Sequence, residues 1–442
     1  MKRIIMPVLF MMLSSWTICA QHTLKVFVKS HENEPMPGAS VTLKGTTQGA
    51  ITNENGIAEL PGIPDGTHTL SIYFLGYKSI EFILTFPRED KLVEISLAED
   101  DHELEEVIVT STRVSRSIDD IPTRVETISL EEIDEKSNMR PSNVSMLLHE
   151  STGIQVQQTS YTSATQTIRI QGLDGKYTQL LKDGFPNYSG FSSGLSILDI
   201  PPLDLRQVEI IKGSSSTLYG GGAIAGVVNF ITKEPRDKPE GSLILNQTSA
   251  LGSDIGIFAS GKNEKIGFTF LGTYHFQKEY DVDDDDFTEL PRQNEFTLFP
   301  KVFFYPSAKT TIMIGNSFTT SNRLGGDVFE IEGKEDLAHP YFEKNESNRN
   351  NSYFSFEQSF GEGKKLLVKQ SVNYFKRELS KPSYYFSGDQ IITYSDASFI
   401  NQRGKHTVVL GLNYVHDNFA EEKGGFDRDQ TLNTISTYVQ DN

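Results

Sequence analysis

The sequence predicts a mainly β protein: an N-terminal β-sandwich, then an α+β domain, then the first ten strands of an antiparallel transmembrane β-barrel. Three observations support this fold class. Strand-like runs separated by turn residues fill the first hundred residues, strict apolar–polar alternation starts near residue 240, and short and long connections then alternate. A barrel satisfies its backbone hydrogen bonds within the sheet, so it can cross a membrane without an apolar helix.

The first 20 residues have the order of a secretory signal peptide. Met1-Lys2-Arg3 is a short basic start, an apolar run covers residues 4–13, and cleavage is expected after Ala20. Cys19 is the single cysteine, and Ile18 before it is too large for a lipoprotein site. Cleavage would leave a chain without cysteine, which excludes disulfides and cysteine metal sites. No later run of 18 apolar residues predicts a membrane helix.

Charge and motifs exclude two broad functions. The formal net charge of −18 argues against a nucleic-acid partner. The sequence has no H-E-x-x-H pair, and Ser214 to Ser216 lack a nearby histidine, so an exported enzyme is disfavoured. The glycine-rich stretch "IKGSSSTLYGGGAIAGVVNFITK" is not a phosphate loop either, because Val227 and Val228 follow Gly226 where a P-loop needs Lys and Ser or Thr.

Residues 21–98 are predicted to form the β-sandwich. "TLKVFVKS", "SVTLKG", "THTLSIYFLGYK" and "KLVEISLA" are strand-like runs between turn residues. With Pro37-Gly38-Ala39, Asn55-Gly56 and Gly76-Tyr77 at turns and strand ends, the segment resembles the carboxypeptidase-regulatory-like domain. That name does not imply peptidase activity.

Residues 99–118 are predicted to be a linker with an apolar centre at Glu106, Val107, Ile108, Val109 and Thr110. Two interpretations are open from the residues alone. The segment is either one more edge strand of the sandwich or an extended peptide that a partner binds by strand addition.

Residues 119–235 are predicted to mix short strands with a short helix. "TIRIQG", "QLLKDG", "LRQVEIIKG" and "VVNFITK" have strand character, and "SNVSMLLHE" predicts a helix capped by Ser142 or Asn143. Lys182-Asp183-Gly184 and Lys212-Gly213 indicate tight turns.

Residues 236–442 carry the predicted barrel strands. In "KIGFTFLGTYHF", for example, Ile266, Phe268 and Phe270 share one face while Gly267 and Thr269 line the other. Short connections are predicted near residues 262–264, 306–308, 361–364 and 402–404, and long ones near 278–293, 319–349, 377–391 and 416–432. This alternation is typical of periplasmic turns and extracellular loops.

In this order the segments resemble a TonB-dependent outer-membrane receptor. Glu106 to Thr110 would be the TonB box, residues 119–235 the plug, and residues 236–442 a barrel that breaks off before the 22 strands of the family. The resemblance implies a structural signature in the plug at Gly153, Arg169, Gly172, Asp183, Gly184, Gly213, Tyr219, Gly220 and Gly226. Glu209 and Lys212 would either pair with lumen side chains or form a solvated surface pair.

The resemblance also implies a function. An energy-transducing inner-membrane protein of the TonB type would pull on the box, and the receptor, embedded in outer-membrane lipid with its N-terminal domain in the periplasm, would import a scarce nutrient. A ferric siderophore or similar metal chelate is the first expectation. Haem, cobalamin or oligosaccharide uptake, or a truncated receptor that binds without transport, are the alternatives. No enzymatic activity and no resident cofactor are expected.

The outward tips of the plug supply the candidates for substrate contact. Tyr161, Tyr188 and Phe191 are aromatic residues in those tips, and aromatic rings bind many ligand classes. His339 and His416 are candidate haem ligands in outer loops. Asp281, Asp283, Asp284, Asp285 and Asp286 form a carboxylate-rich loop, which is either a candidate Ca²⁺ site or a solvated charged loop.

Overall fold

The computed structural model describes residues 21–441 except 31–32, 45, 47, 75–76, 89–91, 99–107, 110–115, 118–124, 187–190, 192–196, 215–218, 220, 335–337, 362, 405 and 424–427. The chain divides into two units, Met1–Glu106 and Val107–Asn442. The division falls inside the predicted linker. Among the described residues, no helix combines the length and apolar character that crossing a membrane requires.

The first unit is a sandwich of two sheets, as predicted. Its described strands are β1 (Gln21–Ser30), β2 (Ser40–Leu43), β3 (Gly49–Ile51), β4 (Ile57–Pro64), β5 (Gly66–Phe74), β6 (Tyr77–Phe86) and β7 (Leu92–Leu97). One sheet has the order β4-β1-β7 and the other β3-β2-β5-β6. Alternate residues of each strand point inward, so Val26, Val41 and Leu70 are fully buried between the sheets.

The second unit begins in the predicted linker, where Ile108–Val109 pairs with Arg116–Ser117, and continues with the short strands and helices of the plug. They are β8 (Ile108–Val109), β9 (Arg116–Ser117), β10 (Val125–Ile128), α1 (Leu130–Met139), α2 (Ser145–His149), β11 (Ile154–Gln158), β12 (Gln166–Ile170), β13 (Thr178–Lys182), β14 (Leu205–Lys212) and β15 (Gly226–Thr232). The central sheet has the order β10-β14-β15-β13, with β13 parallel to β15. Every residue of β13 (TQLLK) and β15 (GVVNFIT) is buried, the polar side chains as well as the apolar ones.

The predicted short helix forms as α2, and Asn143 Oδ1 accepts a hydrogen bond from the Ser145 amide. The helix α1 is absent from the sequence predictions, because its only buried apolar residue is Ile133 and no amphipathic period stands out. A signal for it does exist: Ser129 followed by Glu132 is a capping-box pattern, and the Ser129 hydroxyl accepts from the Glu132 amide at 3.4 Å.

Ten long strands follow in the described part of the chain and pair consecutively in one antiparallel sheet. They are β16 (Glu240–Gln247), β17 (Gly252–Lys262), β18 (Ile266–Gln277), β19 (Arg292–Ser307), β20 (Thr310–Gly326), β21 (Phe342–Gly361), β22 (Lys364–Lys381), β23 (Tyr384–Arg403), β24 (His406–Lys423) and β25 (Gln430–Asp441). A further helix, α3 (Val328–Ile331), lies between β20 and β21. The predicted fold class, a sandwich followed by a plug and part of an antiparallel barrel, is confirmed.

The alternating pattern sets the two faces of this sheet as predicted. Ile266, Phe268 and Phe270 are exposed on the outer face, whereas Thr269 and Leu271 are buried on the inner face. Charged side chains are also buried on the inner face, among them Asp254, Glu295, Lys301, Arg323, Glu343 and Arg349. An apolar outside with a polar inside is the pattern of a membrane barrel.

The prediction of long connections is wrong in part. The segment 377–391 is not a loop, because β22 continues to Lys381 and only two residues separate it from β23. The predicted loops at 319–349 and 416–432 shrink to residues 327–341 and 424–429. These polar segments form strands because the hydrogen bonds between strands are made by the main chain. Ion pairs between side chains of different strands satisfy the charges, as between Lys376 of β22 and Glu422 of β24 at 3.1 Å.

Candidate functional site

The candidate site is the plug together with the inner face of the barrel strands it contacts. Plug residues Phe185 and Leu203 share an apolar cluster with barrel residues such as Phe258 and Phe299. Barrel residue Phe375 in turn belongs to the main plug core. The plug therefore packs directly on the inner face of the sheet.

A tight turn at residues 182–185 is a main polar contact between plug and barrel. Asp183 and Gly184 have φ values of +52° and +75°, and the Phe185 amide donates to the Lys182 carbonyl at 2.9 Å. These features define a type I′ turn, which favours Asp-Gly because both central residues need positive φ. At Gly184 an added Cβ would also lie 2.5 Å from the Lys369 ammonium, so a side chain would disturb the barrel contact.

The Asp183 carboxylate is held on both sides of the interface. The Thr232 amide and hydroxyl donate to it at 2.8 Å and 2.8–3.0 Å, and the Lys301 ammonium of β19 lies 3.3 Å away. The Lys369 ammonium of β22 donates to the Asp183 carbonyl at 2.7 Å. The turn thus joins two barrel strands through one residue.

A second buried ion pair links the two parts. Arg349 of β21 donates to Asp199 of the plug at 2.9 Å, with side chains 3% and 1% exposed. The Arg349 guanidinium also lies over the Phe375 ring at 4.4 Å. The sequence predictions include neither Asp199 nor Arg349. Arg349 could have been found as a charged residue at an inward position of an alternating strand.

Gly226, in the glycine-rich stretch, lies very close to the backbone of the neighbouring strand β14. An added Cβ at Gly226 would collide with the Ile211 carbonyl oxygen of β14, and the φ of Gly226 is +158°. Only glycine fits there without moving the sheet. The remaining signature residues lie in different settings. Gly153, Gly172 and Gly213 also have positive φ. Arg169 is half-buried in β12, Tyr219 packs beside Val227, and Gly220 lies outside the described residues.

Glu209 and Lys212 find polar partners inside the plug. The Lys212 ammonium pairs with Glu126 of β10 and donates to the Thr152 carbonyl. Glu209 is fully buried and accepts from the Gln207 amide group at 2.8 Å. The interpretation of these residues as a solvated surface pair is therefore wrong, and Lys212 fixes β14 to β10 instead.

The predicted TonB box is described only in part. Ile108 and Val109 form β8 and pair with Ser117 and Arg116 of β9, whereas Glu106, Val107 and Thr110 lie outside the described residues. This pairing differs from the interpretation of the segment as a further strand of the sandwich. Val109 is fully buried.

The three aromatic candidates lie in different environments. Tyr161 is 69% exposed between β11 and β12. Phe191 packs against Phe375, Phe386 and Phe419 with ring centroids 4.9–5.9 Å apart. Tyr188 lies outside the described residues.

The two candidate haem ligands lie in different environments, and the acidic loop brings four carboxylates close together. The His339 ring stacks on Phe329 at 4.8 Å, whereas His416 lies within β24 and contacts Asn433 at 2.9 Å. In the loop between β18 and β19, the carboxylate oxygens of Asp281, Asp283, Asp285 and Glu289 lie within 4.8 Å of one another. Neighbouring Asp285 raises the pKa of Asp283. The Ca²⁺ site stays a prediction that a calcium titration checks.

Comparison with known proteins agrees with this architecture. Residues 117–227 match the TonB-dependent Receptor Plug Domain, and residues 26–109 match the CarboxypepD_reg-like domain. The chain therefore carries a segment that matches the plug domain, after a segment that matches the CarboxypepD_reg-like domain, and the ten consecutively paired strands follow. The predicted resemblance of these two segments to the two families is confirmed.

Particular relatives are transporters and receptors. The chain is 30% identical over 176 residues to the vitamin B12 transporter BtuB of Vibrio vulnificus, covering 38% of this chain and 28% of the relative. It is 27% identical over 203 residues to the vitamin B12 transporter BtuB of Photobacterium profundum, covering 43% of this chain and 32% of the relative.

Solved structures share the fold at lower identity. The siderophore receptor PirA from Pseudomonas aeruginosa superposes with a TM-score of 0.55 and 18% identity, over 73% of this chain and 53% of that one. The alcaligin outer-membrane receptor FauA from Bordetella pertussis gives 0.53 and 15%, over 76% and 62%. The chain thus spans about a third of the curated relatives and between half and two thirds of these solved chains.

Proposed function

We propose that this receptor imports a ferric siderophore or a similar metal chelate across the outer membrane, driven by a TonB-type inner-membrane protein. The observation that carries the proposal is the plug packed on the barrel's inner face through Asp183 and Arg349, since a plugged barrel needs a pull to open. The fold shared with siderophore receptors adds support. The receptor's N-terminal sandwich and TonB box would face the periplasm.

Strand addition is the mechanism we propose for the pull. Val109 pairs with Arg116 in a two-residue ladder, so little main-chain bonding has to break before a partner strand replaces β9. Force on this segment would then pass to β10, which is hydrogen-bonded into the plug sheet. The receptor itself would do no chemistry on its cargo.

Uptake measurements test the proposal. Cells with the wild-type receptor should accumulate a ⁵⁵Fe-labelled catecholate siderophore, and cells with Val109→Pro should bind it and fail to accumulate it, because proline removes a strand donor. Val109→Ala keeps the backbone donor and is the matched control, with uptake within about twofold of wild type. Equal uptake by the proline variant would contradict strand addition at this segment.

Cobalamin is a second candidate, favoured by the sequence match to the two vitamin B12 transporters. The same cells can be given ⁵⁷Co-labelled cyanocobalamin. Accumulation of the corrin but not of the ferric chelate would replace the first proposal with the second.

A further inference from the structure

A buried carboxylate of the barrel faces the outward tip of the plug. The plug tip is defined here as residues 159–165, which join β11 to β12. Glu343, near the start of β21, is 4% exposed and accepts hydrogen bonds from three hydroxyls of this tip. The donors are Ser163 at 2.5 Å, Thr162 at 2.9 Å and Ser160 at 3.2 Å.

The barrel balances the charge of this carboxylate. The Lys381 ammonium, at the end of β22, lies 2.9 Å from Glu343. A buried carboxylate with one cation and several hydroxyl donors is well solvated by the protein, and charge-assisted bonds of this kind are strong and directional. Glu343 would therefore lose three of its hydrogen-bond donors if the plug tip moved away, and would keep only the Lys381 ammonium among the partners described above.

The neighbouring strand β20 also contacts the tip. An added Cβ at Gly325 of β20 would collide with the Thr162 carbonyl oxygen and lie 2.8 Å from the Thr162 carbonyl carbon. The tip backbone thus lies directly against the barrel wall at a place where any side chain would displace it. Gly325 and Glu343 are register partners in β20 and β21, so both contacts come from one rung of the sheet.

The tip is closed at its base and open at its apex. The Thr159 amide donates to the Thr165 carbonyl at 2.8 Å, and the two threonine hydroxyls lie 3.0 Å apart. Tyr161 stands between the three hydroxyl donors and is 69% exposed. The buried contacts therefore fix the backbone on either side of an exposed aromatic ring.

We propose that Glu343 is a positioning residue for ligand binding: it orders the plug tip against the barrel so that Tyr161 is presented to the incoming chelate. This inference rests on the proposed function for its ligand, but the ordering of the tip does not. Glu343 itself does not touch the ligand in this proposal; it acts through the three hydroxyls.

Spin labelling tests whether Glu343 orders the plug tip. Apart from Cys19 in the predicted signal peptide the sequence has no cysteine, so a nitroxide on Tyr161→Cys reports the tip alone. In the detergent-purified receptor, Glu343→Ala should convert a restricted spectrum into one with a large fast component. Glu343→Gln, which keeps an acceptor oxygen, should give a smaller change. Gly325→Val should loosen the tip by a steric route while leaving the carboxylate intact.

The matched control is Glu346→Ala on the same strand. Glu346 pairs with Lys344 at 2.8 Å and does not share the inward face of Glu343. Its spectrum should equal that of wild type. An unchanged spectrum in both Glu343→Ala and Gly325→Val would overturn the proposal, as would an equal change in Glu346→Ala, which would indicate a general loss of barrel structure.

Binding measurements separate this inference from the proposed function. With the ferric catecholate as probe and Tyr161 restored, Glu343→Ala should bind about tenfold more weakly, the scale of one lost charge-assisted contact. Tyr161→Ala combined with Glu343→Ala should be no weaker than Tyr161→Ala alone, since both act on the same ring. Independent, additive losses would contradict a role through Tyr161. If the wild-type protein does not bind the chelate, the proposed cargo is rejected. The spin-label spectra still decide whether Glu343 orders the plug tip.

Discussion

At the scale of single residues, Asp183 carries the clearest electrostatic role. Burial by itself raises the pKa of Asp183, but the Lys301 ammonium and the hydrogen bonds from Thr232 together outweigh that effect, so its pKa is lowered. The ionised carboxylate is therefore the form that the plug–barrel contact stabilises. The same turn was predicted from sequence, whereas its partners in β19 and β22 were not.

We expect Asp183→Asn to destabilise the docked plug by about 3–5 kcal/mol, because it leaves Lys301 buried without a counter-charge. The midpoint of urea denaturation of the detergent-solubilised protein measures this. Asp237→Asn, whose side chain is 90% exposed, is the control and should change little. Asp183→Asn combined with Lys301→Met should recover part of the loss; no recovery would mean that the ion pair is not the cause.

The dependence on pH follows from the same carboxylate. Its folded-state pKa is depressed, so its contribution is fully present above the unfolded-state pKa of about 3.9 and is lost as pH falls through the folded-state pKa. The difference in stability between wild type and Asp183→Asn should therefore be constant near neutral pH and shrink below about pH 4. A difference that grows on acidification would contradict the assignment.

At the scale of elements, the strands are longer than the sequence predicts. The connection near 377–391, which the sequence predicts to be long, has only two residues. In the structure Lys381-Pro382-Ser383-Tyr384 closes a two-residue hairpin, with Ser383 at a φ of +64°. Proline suits the first turn position, and a positive φ at the second favours glycine.

The hairpin gives a prediction of its own. Ser383→Gly should stabilise the protein by about 0.5–1 kcal/mol, because glycine adopts the positive φ without the steric cost that serine bears. Ser380→Gly, within β22 and opposite Tyr385, should instead destabilise by a similar amount. Thermal unfolding in detergent measures both, and a loss of stability in Ser383→Gly would show that this turn is not as described.

At the scale of the whole molecule, the ten-stranded sheet has two faces of different polarity. The exposed residues of the outer face are mostly apolar and the buried residues of the inner face mostly polar, the reverse of a water-soluble sheet. We therefore expect lipid to cover the outer face, with the plug and its ion pairs on the inner face.

Substitutions on the outer face should then depend on depth in the bilayer. Ile314, 52% exposed on β20, should tolerate valine, whereas Ile314→Arg should cost up to about 2–4 kcal/mol if the site lies near the bilayer midplane. Thr310→Arg, at the end of the same strand, should cost at most about 1 kcal/mol. Folding into lipid vesicles, followed by the heat-induced shift on a gel, measures both; equal effects would mean that Ile314 does not face the hydrocarbon.

The sequence by itself determined the fold class, the two faces of the strand at Ile266–Gln277 and the Asp183-Gly184 turn. It could do so because strand alternation, turn residues and glycine requirements are local properties of the chain. The tertiary structure alone decided the contacts that join plug to barrel: Asp199 with Arg349, Asp183 with Lys301, and Glu343 with the plug tip. These partners lie more than a hundred residues apart, and only the register of neighbouring strands brings them to one place.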